Sequence, residues 1–489
     1  MRDLLLTLIV FGSLPLIFVR PHYGVYMWAW LTYMTPHRLT WGFAYDFRFN
    51  YFVAIVTLIA IIKSKDIKIR VPMTIPTIFW LFFILWTLVT TYNAFEYSSA
   101  WAEWDRFLKI QIMVIVTYII IKDKKQIIIL AGVIAFSIGF FGFKGGLFTL
   151  VKGGYFRVMG PEYSFISDNN TFALALNMTL PLSLYFLQAV KNPFVRLGLL
   201  LHSFLCVLAI FGSYSRGGLV GLLGMGTVFW FLSKKKFVST LIILLIVPSA
   251  VLLMPEKWMQ RVTPMIESLN IQFLVDAVAF NPGNMIYKEL PEIRLPDSGG
   301  SVQMLEEVHT LIKKDAEILQ DLSVLGRFDA WQLSKAVAAD RPFLGGGFGT
   351  FSQGVFDHYT PGVYRHDAHS IYFEVLGEQG YFGLLLWVLM HLTSLNYGRW
   401  TIMRCRKDPE LQWASVLAKM LIIGLLGYYF AGISLGLAYY DLPYHYLSLL
   451  VLIRLHVRRH LKIRLETEMN LRKKSSAFRV SHVFPVRQV

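Results

Sequence analysis

Apolar runs of the length that crosses a bilayer as a helix, roughly 17 to 25 residues, recur along most of the chain. The pattern predicts helices over about 49–63, 73–93, 107–121, 126–150, 171–190, 195–213, 217–233, 238–254, 369–396, 412–434 and 440–456. In hydrocarbon a backbone must satisfy its own polar groups, so such runs are helical rather than extended. Two shorter apolar stretches, LLLTLIVFGSLPLIFV (4–19) and YGVYMWAWLTYM (23–34), are interrupted by Pro15 and Pro21 and are expected to make one net crossing between them.

Polar punctuation sets the sidedness. KSKDIKIR (63–70), KDKK (122–125), KNPFVR (191–196), KKK (234–236), RWTIMRCRK (399–407) and RLHVRRHLKIR (454–464) all fall on one side of these spans. Short basic loops mark the cytoplasmic face. The reading is an all-α polytopic membrane protein of about twelve transmembrane helices, both termini cytoplasmic, with thirteen and an outside N-terminus as the alternative. It divides into an N-terminal bundle (1–254), a large, partly helical periplasmic domain (255–368), a C-terminal bundle (369–456) and a basic cytoplasmic tail (457–489). VQMLEEVHTLIKKDAEIL is the clearest amphipathic helix of the periplasmic segment, which holds about half of the chain's 31 acidic residues.

Composition sharpens this picture. Charged residues are 16% of the chain against 55% hydrophobic, and the mean hydropathy is +0.51. A soluble protein carries about 25% charged residues. The net charge of +16 sits in the loops and the tail, so no nucleic-acid partner is expected. Cys206 and Cys405 form no metal or disulfide pattern, and no cleavable leader is expected.

The candidate chemistry gathers on the outer side. In FGSYSRGGLVGLLGMG, Ser213 or Ser215 caps a helix whose first residue is near Arg216. A helix N-terminus with a guanidinium suits phosphate oxygens. The alternative is a snorkelling Arg216 and glycines that only pack helices. Arg327 opens VLGRFDAWQLSKAVAADRPFLGGGFGTF, either as an anion contact or as an ion pair with Asp329 or Asp340. Gly345–Gly349 lacks the lysine and the preceding strand of a nucleotide loop and reads as a tight turn before membrane re-entry. Arg157 is a phosphate contact or a head-group anchor, and Asp168 a helix cap. In YRHDAHSIYFEVLGEQG, His369 is a general base, a hydrogen-bonded structural histidine or, with His358 and His366, a metal ligand. Glu374 and Glu378 lie deeper and need partners, with helix-to-helix hydrogen bonding the plain explanation for both.

SRGGLVGL, then GRFDAW, PFLGGGFGTF and HDAHSIYFEVLGEQGYFGLLLW, in that order, resemble the O-antigen ligase and polymerase superfamily, in particular its exosortase-associated O-glycosylation ligase branch. The resemblance covers roughly 140–400. It implies a GT-C-like fold in the inner membrane, with its site facing the periplasm. It also implies transfer of a glycan from undecaprenyl diphosphate to a hydroxyl of lipid A–core, inverting and with no cofactor, nucleotide or metal. It carries the family's histidine onto His369 and its arginines onto Arg216 and Arg327, with Arg157 or Arg365 assisting. His366 and Asp168 are possible supporting residues. Asp441 in AYYDLPY matches a late acidic residue. Ser370 stands where asparagine is common. Substrates would be the lipid-linked glycan, lipid A–core and membrane lipids. A protein O-oligosaccharyltransferase or a polymerase would use the same chemistry on another acceptor. A transporter or flippase would place its charges at mid-membrane, often in repeated halves, which this chain does not show.

Overall fold

The computed structural model describes residues 1–233, 326–363 and 365–483, with scattered residues between 236 and 259. Most of the expected 238–254 span, and residues 260–325 of the expected outer domain with its amphipathic helix, lie outside the described residues. The described chain is helical, with no strand among the described residues. Its helices are α1 (Arg2–Val19), α2 (His22–Met34), α3 (Phe49–Lys63), α4 (Ile75–Tyr92), α5 (Tyr97–Ile120), α6 (Lys124–Val151), α7 (Asn169–Ala189), α8 (Pro193–Gly212) and α9 (Arg216–Leu232). They continue as α10 (326–340), α11 (Gln353–Tyr359), α12 (Ile371–Cys405), α13 (Gln412–Ala431) and α14 (Asp441–Val483). Seven of these are long and apolar enough to cross a membrane, and α3 and α9 are shorter apolar helices. The protein is an all-α, multi-pass membrane protein.

Three of the basic segments, around Lys122, Arg404 and His456, meet at one end of the bundle. The Lys122 carbonyl contacts His456 Nδ1 at 3.2 Å, and Arg464 pairs with Asp408 at 3.1 Å. The opposite end, where α5, α7, α9 and α12 begin, is the site end and carries the candidate residues. Local chemistry fixes the helix starts. Asp123 and Gln126 form a capping box at α6, Asp168 caps α7, Asn192 caps α8 and Ser215 caps α9.

The N-terminal stretches correct the sequence expectation. Asp3 Oδ1 accepts from the N–H groups of Gly42 (2.9 Å) and Ala44 (3.1 Å), and Arg2 donates to the Leu39 carbonyl at 3.3 Å. The 36–48 loop in turn touches the 151–170 loop at the site end, where Arg38 lies over Tyr163 at 4.8 Å. Tyr26 at the start of α2 donates to the Gln126 carbonyl at the basic end. So α1 and α2 form an antiparallel hairpin and place the N-terminus at the site end. Long-range capping of loop N–H groups by Asp3 decides this, and hydropathy does not record it.

The most consequential local feature is a break in α12. Gly380 has φ 69° and ψ −176°, so the helix cannot continue through it. The carbonyls stranded by the break are taken up from outside the helix. Gly346 N–H donates to Gly377 O and Gly347 N–H to Glu378 O, both at 2.8 Å, and Trp86 Nε1 donates to Gln379 O at 3.0 Å. The Tyr381 N–H is satisfied by Pro342 O at 2.8 Å. The glycine-rich turn therefore plugs the broken helix, and Phe95 N–H bonds Gly346 O to tie in the α4–α5 junction. Glycine is required at the contact: a Cβ at Gly380 would stand 2.3 Å from the Phe343 carbonyl oxygen, and one at Gly345 2.6 Å from the Gly380 nitrogen.

Gly380→Ala is expected to destabilise the protein by about 1–3 kcal/mol from the backbone conformation alone, with the clash added. Thermal unfolding in detergent should show a clear fall in Tm, while Gly226→Ala, whose Cβ meets nothing within 4 Å, should melt like the parent. Equal melting of the two variants would refute the plug.

Candidate functional site

At the site end a cavity of about 930 Å³ opens between α5, the start of α7, the 348–354 segment, the approach to α12 and the 435–440 turn. Such a volume lies at the upper end of ordinary ligand sites. His369, Arg365 and Asp168 all line it.

His369 is held in place by its backbone. Its φ is 43°, in the left-handed region that a residue with a Cβ rarely occupies. The neighbours over-determine this conformation. Trp331 Nε1 of α10 donates to Ala368 O at 2.9 Å, and Ile371 N–H donates to Gly432 O at 2.9 Å. Trp331 also stacks on Phe373, with ring centres 4.9 Å apart. The imidazole itself makes no hydrogen bond among the described residues and faces the cavity, half-buried. Strain of this kind, stored where a side chain is aimed at a chamber, is a mark of functional sites.

The SYSR turn settles which serine caps α9. Ser215 Oγ accepts from Gly218 N–H at 3.0 Å, while Ser213 Oγ accepts from Ser215 N–H at 3.2 Å. Tyr214 between them has φ 59° and donates its hydroxyl to Gly154 O at 2.6 Å. The glycines serve packing: a Cβ at Gly218 would meet Ala173 at 2.5 Å, and one at Gly221 would meet Asn177 at 2.8 Å. Arg216 opens the helix beside them.

Arg327 lies on α10, next to the 366–369 segment. A Cβ at Gly326 would touch the His366 ring at 2.8 Å. The ion pairs considered from sequence do not form: Arg327 has none among the described residues, and Asp340 instead accepts from Tyr359 at 2.7 Å. Arg327 Nε is buried without a hydrogen-bond partner among the described residues. Burial, then the nearby Arg216 charge, lower its affinity for a proton. Two guanidiniums close enough to repel make a place that favours an anion.

Charge also reaches His369. Burial first, and then the Arg327 guanidinium, hold its imidazole below the usual value of 6.5, partly opposed by Asp367 and Asp168. The ring is therefore neutral, and able to accept a proton, near neutral pH. Burial lifts the Asp329 carboxyl, with His366 opposing. Thus Arg216, Arg327, His366, His369, Asp168 and Arg365 gather in one region.

Two candidates stand apart. Arg157 is exposed, in a loop anchored by Val158 N–H to Gly212 O, and does not line the cavity. Asp441 is fully buried one residue past the cavity-lining Tyr440, near Tyr33 and His445, whose hydroxyl and Nδ1 are 3.0 Å apart. Asp168 is the cap of α7, accepting from Asn170 and Thr171 N–H, and lines the cavity as well. Glu374 departs from the helix-to-helix explanation: its Oε2 accepts from Leu437 and Ala438 N–H, both at 3.0 Å, and so fixes the 435–440 turn. Glu378 is 5% exposed, lines the cavity, and leaves Oε2 without a partner among the described residues. The α5 residues Glu103 and Arg106 line the cavity too and were missed. The apolar run starts at 107, but the helix begins ten residues earlier, at Tyr97.

Comparison with known proteins divides the chain in two. A family model described as O-antigen ligase matches residues 201–388, which hold Arg216, Arg327, Arg365, His366 and His369. A second, described as a family of unknown function (DUF5935), matches residues 1–191, which hold Arg157, Asp168 and the cavity face of α5. No curated protein matches the chain.

The electrostatics yield a direct expectation. His369 should titrate below 6.5 in an NMR pH titration of labelled histidines, and Arg327→Ala, which removes a neighbouring positive charge, should move its midpoint upward. A midpoint at or above 6.5, or one that Arg327→Ala leaves in place, would contradict the arrangement.

Proposed function

The O-antigen ligase domain at residues 201–388 makes the chain a member of the O-antigen ligase superfamily, membrane enzymes of glycan-ligase or glycan-polymerase type, and from that premise we propose that it is an O-antigen ligase of the bacterial inner membrane. It passes a glycan from undecaprenyl diphosphate to a hydroxyl of lipid A–core, at a site facing the periplasm. The basic end of the bundle supports this orientation, since basic loops favour the cytoplasmic side. The observation that carries the reading is a half-buried imidazole without a hydrogen bond among the described residues, on the wall of a cavity of about 930 Å³, with Arg327 and then Arg216 beside it.

In this mechanism Arg216 and Arg327 bind the diphosphate, with Arg365 assisting from the cavity side. His369 takes the proton of the acceptor hydroxyl as its oxygen attacks the anomeric carbon. The bond from that carbon to the phosphate oxygen breaks, and its electron pair leaves on the diphosphate. The guanidiniums meet the growing charge, so the step requires no metal. One displacement inverts the anomeric centre.

Purified protein incubated with lipid-linked glycan and lipid A–core tests this reading. His369→Ala should lower transfer by about 10²–10⁴-fold, and Arg216→Ala and Arg327→Ala by at least about 10²-fold, with the variants still folded. EDTA should leave the rate unchanged. Undiminished transfer by His369→Ala would overturn the base assignment, and transfer to pilin in preference to lipid A–core would overturn the acceptor.

A further inference from the structure

The cavity wall facing the 365–369 segment belongs to α5, within the region that a family model of unknown function matches. Glu96, Ser99, Glu103, Arg106, Phe107 and Ile110 all line the cavity. Glu96, Ser99, Glu103 and Arg106 follow at intervals of three and four, and Phe107 and Ile110 stand four residues on from Glu103 and Arg106, so from the α5 N-cap inward they form one stripe of the helix. Its character changes with depth, from charged at the site end to apolar further in. Solvation at a membrane surface does not require this placement. Asp105 and Lys109 of the same helix show what the solvated face does: they pair with each other, both about half exposed, and neither lines the cavity.

The stripe's charged members are not spent on one another. Glu103 is near enough to Arg106 on its own helix, and to Arg365 and Asp367 across the cavity, for their charges to act on it. It forms no ion pair within 4 Å among the described residues. Arg106 lies over the Phe165 ring at 5.8 Å. Phe165 and Tyr439 add aromatic faces to the same chamber. Glu378, nine-tenths buried and with an unpartnered Oε2, is a further acceptor on the chamber wall. Carboxylates and a guanidinium that alternate beside aromatic rings fit a sugar ring: the charged groups take adjacent hydroxyls, and the aromatic faces take the C–H face. Carboxylates on two walls would repel an acidic sugar.

Position separates the two sugars of the reaction. Arg216 and Arg327 are not among the cavity-lining residues, whereas His369 is. In an in-line displacement the attacking hydroxyl arrives opposite the departing diphosphate. The donor's anomeric carbon belongs near Arg216 and Arg327, on the side of the chamber where Arg365 lies, and the acceptor belongs against the α5 wall. We infer that the α5 stripe, centred on Glu103, is the subsite for an uncharged, hydroxyl-bearing acceptor sugar held opposite His369. This rests on the ligase reading above and assigns to the N-terminal region the choice of acceptor.

The full-length protein in nanodiscs, with lipid A–core as the acceptor probe, provides the test. Glu103→Gln should raise the KM for lipid A–core about tenfold or more, with kcat and the KM for lipid-linked glycan within about twofold, and Glu103→Asp should recover part of the loss. Asp105→Asn, on the solvated face, should leave all three constants unchanged. A Glu103→Gln effect on the donor KM instead, or none, overturns the subsite. Equilibrium binding of lipid A–core without donor separates this result from the fate of the reaction. If the parent binds through Glu103 but does not transfer, the subsite stands and the ligase reading falls. If the parent does not bind, or Glu103→Gln binds equally well, the subsite falls.

Discussion

A transmembrane helix that stops at a glycine strands polar backbone groups, and in hydrocarbon each must find a partner inside the protein. The break in α12 at Gly380 meets this demand through the Gly345–Gly349 turn, Trp86 and Pro342. The rest of the site is arranged around that contact. The nine residues before the break carry Glu374 and Glu378 into the cavity, and His369 stands just ahead of them. The turn that plugs the break also carries Phe348 and Gly349 to the cavity wall. Its tie to Phe95 sets the start of α5 against the same chamber. A backbone requirement thereby brings together three segments that are far apart in sequence.

A second constraint is electrostatic. Arg216 lies close enough to Arg327 to disfavour its charge, and Arg327 in turn depresses proton binding at His369. Such an arrangement is costly unless an anion joins it. It also keeps the imidazole neutral, the form a general base needs. On the proposed reading, the diphosphate brings negative charge to the two guanidiniums and the depressed imidazole takes the acceptor's proton. The carboxylates of the opposite wall would suit neutral sugar hydroxyls. The donor's diphosphate then sits beside the chamber, at Arg216 and Arg327, and the acceptor within it, against α5.

Much of the fold was legible because hydropathy reports directly on burial in lipid: the runs at 49–63, 126–150 and 412–434 match helices within a few residues. The N-terminal hairpin was not legible, because Asp3 bonding to Gly42 and Ala44 is a contact across 39 and 41 residues of sequence. The glycine turn was recognised as a turn, but its partner, the break at Gly380, carries no hydropathy signal. In the site, Arg216, Arg327 and His369 were named from short motifs, and the structure brings them into one region. Arg157 was not separable from them by residue type, since an exposed loop arginine and a buried one read alike. Glu103 and Arg106 lie ahead of an apolar run and resemble an ordinary solvated helix start. Only the three-and-four spacing from Glu96 through Ser99 to Arg106 set them apart.

On the reading proposed above, Arg216 and Arg327 receive the diphosphate of a lipid-linked glycan beside His369. The most direct measurement is a cryo-electron microscopy structure of the protein in a nanodisc with undecaprenyl diphosphate bound. Both phosphates are expected within hydrogen-bond reach of the Arg216 and Arg327 guanidiniums, with the His369 ring facing the sugar-bearing end. A head group bound at the basic end of the bundle, or away from both arginines, would contradict it.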